Sequence, residues 1–219
     1  MMVSAAGAGS LAEANAISCV TSGGKAAASA RDRLLDAATQ LFCRYGINAV
    51  GVDAVVREAA TAKATLYKTF GSKEGLVEAV LEREGAAWRD WFVGALLTGE
   101  AGAAERLGRI FPLLGEWFAS ERFYGCPFIN ALGEHDKKEG RYRHIALSHK
   151  RSVLAVLARL ATEAGARDGD ALAHQFGLLI DGAIVAAMVT GSPQPAEVAA
   201  QMSAGLLASL DHEGRPFAA

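Results

Sequence analysis

The stretch VDAVVREAATAKATLYKTFGSKE, residues 52–74, decides how the chain is read. Val52, Val55, Val56 and Ala59 share one face of a short helix starting near Val52. Ala60-Thr61 leaves room only for a tight turn, and a second short helix follows from about Ala62 to Phe70. On that second helix Ala62, Leu66 and Phe70 fall on the side that can bury. Ala64, Tyr67 and Lys68 fall on the opposite side, with Lys63 and Thr65 beside them near the N-terminus. A helix that turns Lys, Thr, Tyr and Lys outward suits the major groove of DNA, its first residues at base edges and its longer side chains at phosphates. Gly71-Ser72 breaks the helix. Ser72 is a natural N-cap for the next one, and Lys73 sits beside that helix's free amides, which also attract phosphate.

Upstream, Leu34, Ala38, Leu41, Phe42 and Tyr45 recur at helical spacing and predict an apolar stripe closed by Gly46. Residues 1–28 are rich in Ala, Gly and Ser without apolar periodicity and read as a disordered tail. Downstream, helical patterns are expected at about 73–97, 103–119 (kinked at Pro112), from Pro127, at 142–164, at 168–191 and on to about Leu210. The run 136–140 is expected to be a solvated loop or a frayed helix end, and the residues after Asp211 a frayed tail. The expected fold is all-α. A helix-turn-helix domain at 29–75 joins, through a long helix, a helical body at 76–212, with tails at 1–28 and 213–219.

Composition supports this. About half the residues are hydrophobic, Ala is abundant and Pro is rare. Net charge is −2, but residues 31–73 carry seven Lys or Arg against four Asp or Glu, and residues 74–219 carry fourteen against nineteen. A basic unit on an acidic body fits a DNA-reading head. Three cysteines, Cys19, Cys43 and Cys126, share no metal-ligand spacing, and an odd count argues against a disulfide framework, so a reduced, cytoplasmic protein is expected. No apolar run is read as a membrane helix, the most apolar, Phe176–Val189, being short and holding Asp181. No glycine-rich phosphate loop, nucleophile elbow or paired His ligands nominate an enzyme, and no cofactor or metal is expected.

The blocks Leu34–Phe42, Tyr45-Gly46, Val52–Ala59 and above all Lys63–Glu74 resemble the DNA-binding domain of the TetR family of bacterial transcriptional regulators. The resemblance implies DNA contacts at Gly51, Lys63, Ala64, Thr65, Tyr67, Lys68 and Lys73. Tyr67 and Lys73 would clamp phosphates, and Ala64, Thr65 and Lys68 would face bases. The sequence departs from the family's usual pattern at Gly51 and Ala62, where Ser or Thr is common, and at Ala60, where Gly is usual; Thr61 is a possible substitute cap. The resemblance also implies a body that binds a small molecule and dimerises. Gly125–Ala131, His149-Lys150-Arg151 and Asp181-Gly182-Ala183 are similar to one subgroup of such bodies.

Candidate ligand residues are Trp88, Phe92, Trp117, Phe118, Phe128, Asn130 and Phe176, as aromatic groups with one polar contact. Candidate dimer residues are Ile180, Ile184 and Ala187 on one apolar stripe, with Met202 and Leu206 on a second; burial within one subunit is the alternative. Cys126 near a helix N-terminus reads either as a redox-sensitive thiol or as an inert buried one. The expected partners are a palindromic double-stranded DNA operator, a second copy of the chain and an unidentified small molecule. The expected role is a repressor released by that molecule. The rival reading is a helical interaction protein or enzyme that keeps the fold without specific DNA binding.

Overall fold

The computed structural model describes residues 28–135 and 140–213. Residues 1–27 and 214–219 of the expected tails at 1–28 and 213–219, and 136–139 of the expected loop, lie outside the described residues. All regular structure described is helical. The helices are α1 (Ala30–Tyr45), α2 (Val52–Glu58), α3 (Lys63–Phe70), α4 (Lys73–Leu97), α5 (Ala103–Gly108), α6 (Ile110–Phe118), α7 (Pro127–Glu134), α8 (Arg143–Glu163), α9 (Gly169–Thr190) and α10 (Gln194–Glu213).

Local chemistry sets most of the boundaries. The Ser72 hydroxyl accepts the Gly75 N–H at 3.0 Å and starts α4, and Asp168 accepts the Ala171 N–H at 2.9 Å and starts α9. Pro127 occupies the first turn of α7, where its missing N–H costs nothing. The single kinked helix expected over 103–119 is instead two helices, interrupted at Arg109. Pro112 cannot donate to the carbonyl four residues back, and its ring crowds that carbonyl, which is where the helix is interrupted.

In the head, α1, α2 and α3 pack around Leu34, Ala38, Phe42, Val55 and Leu66. Tyr45 leaves the expected stripe: it is 55% exposed and lies against the Arg44 guanidinium. Arg83 fixes the first half of α4 to α1, donating to Asp36 Oδ1 (2.8 Å) and Thr39 Oγ1 (2.6 Å). In the body, α9 packs between α8 and α10, and α10 also covers α6. By length and composition α9 is apolar enough to cross a membrane, which the sequence reading had not anticipated. Leu172, Phe176, Ile180, Ala183, Ile184 and Ala187 bury one side of it, and Asp181 pairs with Lys150 of α8.

Candidate DNA face and body cavity

The outward face of α3 forms at the helical spacing, although Ala62, expected on the burying side, is exposed. Lys63, Ala64, Tyr67 and Lys68 are exposed, Thr65 is half-buried, and Leu66 is fully buried beneath them. Lys63 Nζ lies 3.0 Å from Asp53 at the start of α2, and this carboxylate raises the lysine's pKa. Lys73 is tethered differently: its ammonium donates to the Ile47 carbonyl at 2.6 Å, across the loop between α1 and α2. An ammonium has three protons, so two remain for another acceptor.

The three departures from the family pattern have distinct local consequences. Gly51 and Ala62 stand at the N-caps of α2 and α3 without a side-chain hydrogen bond. Thr61 does not substitute as a cap, because its hydroxyl is buried without a hydrogen-bond partner among the described residues. Ala60 has φ +47°, the only positive φ outside glycine among the described residues. The Thr61 N–H donates to the Val56 carbonyl (3.0 Å) and the Ala60 N–H to Arg57 (3.2 Å). This is the helix-ending bond pair that favours glycine at position 60.

Behind the head lies a cavity of about 330 Å³. Phe42, Cys43 and Ile47 of the head contribute to its wall, with Val77, Val80, Leu81 and Glu84 of α4. From the body come Trp88, Trp117, Phe128 and Asn130, four of the seven residues nominated from sequence. The other three, Phe92, Phe118 and Phe176, do not reach it. Phe92 stacks on Trp88 (4.5 Å), Phe118 packs on Trp117 (5.8 Å) and Phe176 stacks on Phe111 (6.1 Å), all buried in the core. Aromatic residues nominated by type alone include those that fill the core.

Asn130 was the one polar lining residue nominated as a ligand contact; His149 and Lys150 were not. His149 stacks on Phe128 (4.4 Å) and faces the Arg89 guanidinium at 3.0 Å. Burial, and then the charges of Arg89 and Lys150, push its pKa down to about 3, so it is neutral at physiological pH. The Lys150–Asp181 ion pair also lines the wall. The motifs His149-Lys150-Arg151 and Asp181-Gly182-Ala183 held this signal, but not the pairing between them. Cys126 is buried at the head of α7 and lines the cavity, and burial pushes its thiol up, outweighing the nearby amides.

Of the nominated dimer residues, Ile180, Ile184 and Ala187 are 3%, 4% and 1% exposed. That stripe packs inside the single chain, where Ile180 and Ile184 also line the cavity, so it is not on the free surface. Met202 is exposed and Leu206 half-buried. The exposed apolar side chains of the same helices are instead Leu178, Val185, Met188 and Val189 on α9, with Val198 beside Met202 on α10.

A three-helix head with an outward basic recognition face, continued through one long helix into a helical body, defines a helix-turn-helix transcriptional regulator. The sequence profile described as bacterial regulatory proteins, tetR family, matches residues 34–80, and that of the tetracyclin repressor-like C-terminal domain matches residues 103–203. A solved TetR-family transcriptional regulator from Streptomyces coelicolor is 30% identical, with a TM-score of 0.75, over 83% of this chain and 95% of that one. The regulatory protein TetR from Rhodobacter sphaeroides is 25% identical with a TM-score of 0.68, over 79% and 96%. An uncharacterised helix-turn-helix regulator of Mycobacterium tuberculosis is 40% identical over 55 residues, 25% of this chain and 27% of its own length. The match to such curated relatives thus spans only about a quarter to a half of their length. The chain belongs to the TetR family of DNA-binding transcriptional regulators.

Proposed function

We propose that the protein is a cytoplasmic repressor whose dimer occupies a palindromic operator and leaves it when a small molecule fills the body cavity. The observation that carries this reading is the shared wall of the cavity, built from Phe42, Cys43 and Ile47 of the head as well as from the body. A ligand lodged there touches both halves at once, so its binding energy can differ between the DNA-docked and released arrangements. Only such a difference shifts the equilibrium. Gly51, Lys63, Ala64, Thr65, Tyr67, Lys68 and Lys73 make the DNA contacts. Trp88, Trp117, Phe128 and Asn130 contact the ligand. The exposed apolar face of α9 and α10 meets a second subunit, which sets two recognition helices at successive major grooves, about 34 Å apart. A dimer on promoter DNA blocks polymerase without further machinery.

The domain division that follows is a head at 29–75 and a body at 76–212. Genome-wide mapping of bound fragments identifies the operator, and the neighbouring genes suggest ligands. Apolar compounds that raise the melting temperature are then titrated with and without operator. Linkage requires operator DNA to weaken ligand binding by the same factor by which the ligand weakens DNA binding, typically about 5- to 150-fold. A compound seated in the cavity with equal affinity in both titrations refutes induction by that compound, and a failure to enrich any fragment refutes operator binding.

A further inference from the structure

Head and body meet at a second place besides α4. The Asn48 backbone N–H donates to Glu134 Oε2 at 2.8 Å, and its side-chain amide donates to the Glu134 carbonyl at 2.6 Å. Gly46 lies so close that a Cβ there would stand 3.1 Å from both Glu134 carboxylate oxygens. Glu134 ends α7, and it lines the cavity together with Pro127, Phe128 and Asn130 of the same helix. Between Gly46 and Asn48, Ile47 contributes to the cavity wall and gives its carbonyl to the Lys73 ammonium at 2.6 Å. Three consecutive residues therefore join the cavity wall to the cation at the foot of the DNA-facing surface.

We propose that the Asn48–Glu134 clasp positions Lys73 for phosphate, so that α7 and the DNA contact move as one unit through the loop 46–48. Asn48 is then a positioning residue that acts through Ile47 and Lys73. A ligand that displaces α7 opens the clasp, lets the loop shift and withdraws the acceptor that aims the ammonium. This route is distinct from any tilt of α4, whose first half Arg83 joins to α1. The inference rests on the reading of Lys73 as a phosphate contact, and the test separates the two.

Binding of the full-length protein to a random-sequence duplex of about 30 base pairs is measured across a salt series, because phosphate contacts act on any sequence and set the salt slope. Lys73→Ala is expected to weaken binding about threefold to tenfold and to lower the slope by about one. Asn48→Ala is expected to do the same to a lesser degree in the otherwise wild-type protein, and nothing further when added to Lys73→Ala. Glu134→Ala, which removes the other bond of the clasp and leaves the Glu134 carbonyl for the Asn48 amide, should likewise weaken binding, and Glu134→Gln, which keeps an acceptor for the Asn48 N–H, should restore part of that loss. Circular dichroism confirms that each variant keeps its helices. Independent, additive losses for Asn48→Ala and Lys73→Ala overturn the clasp, as does an Asn48→Ala protein with wild-type affinity and slope. A wild-type protein that ignores the duplex, or a Lys73→Ala protein unchanged on it, removes the phosphate contact itself and the clasp's role with it.

Discussion

Replacing Ala60 by Gly should stabilise the protein. Ala60 sits at φ +47° at the end of α2, where its Cβ is strained against the neighbouring carbonyl. The left-handed conformation costs an L-residue roughly 1–2 kcal/mol. Against this, glycine in the unfolded chain has more freedom to lose, about 0.5–1 kcal/mol. Ala60 is exposed, and its interactions in the turn run through the backbone N–H to Arg57, so glycine forfeits no packing. The net gain is about 0.5–1 kcal/mol, worth roughly 2 °C in melting temperature for a chain of this size. Urea titration followed by far-ultraviolet circular dichroism measures the midpoint, with an unchanged denaturant slope showing that the gain lies in stability alone. An Ala60→Gly protein that is no more stable than wild type would show that the turn carries no strain at residue 60, and the account of this departure from the family pattern would fail with it.

Two further outcomes are expected. Val189→Asp or Met202→Asp, at side chains 77% and 57% exposed, should give a folded monomer by sedimentation velocity, whereas Ile184→Asp, at a site 4% exposed, should unfold or aggregate the protein. A dimer that survives both surface substitutions moves the interface elsewhere. For His149, the native pKa of about 3 lies below the unfolded value of 6.5, so the native ring stays neutral while the unfolded one takes up a proton. Its contribution is fully present above about pH 6.5 and is lost as pH falls from there toward 3. His149→Gln should therefore lessen the drop in urea midpoint between about pH 7.5 and about pH 5, and an undiminished drop assigns the acid sensitivity to other groups.

The head was legible because its signals are local. Helix caps, a tight turn and an amphipathic period act over three or four residues, so Ser72, Gly71 and the buried Leu66 follow from their neighbours. The body was less legible because its decisive contacts are not local. Lys150 finds Asp181 thirty-one residues away, and His149 is neutral because the packed body buries it and Arg89 of another helix faces it. On α9, apolar residues occupy both the core-facing and the outward side. Periodicity found the stripe Ile180–Ile184–Ala187 but held nothing to tell which side faces inward, and only the packing of α8 and α10 decides that Leu178 and Val189 point out. At residues 103–118, Pro112 marked a disturbance correctly, but whether a helix bends or breaks depends on what it packs against.

The three tryptophans of the chain, Trp88, Trp91 and Trp117, stand within 6.4 Å of one another, centroid to centroid, beside the cavity, and the head has none. Indole emission therefore originates wholly in the body and its long helix. Quenching or a spectral shift on adding a compound registers an event at the cavity without any attached dye. An unfolding curve followed by that emission weights the body and the cavity wall, while the helical signal records both halves evenly. A gap between the two curves would measure directly how far the head melts on its own, which bears on whether the halves act as a single cooperative unit.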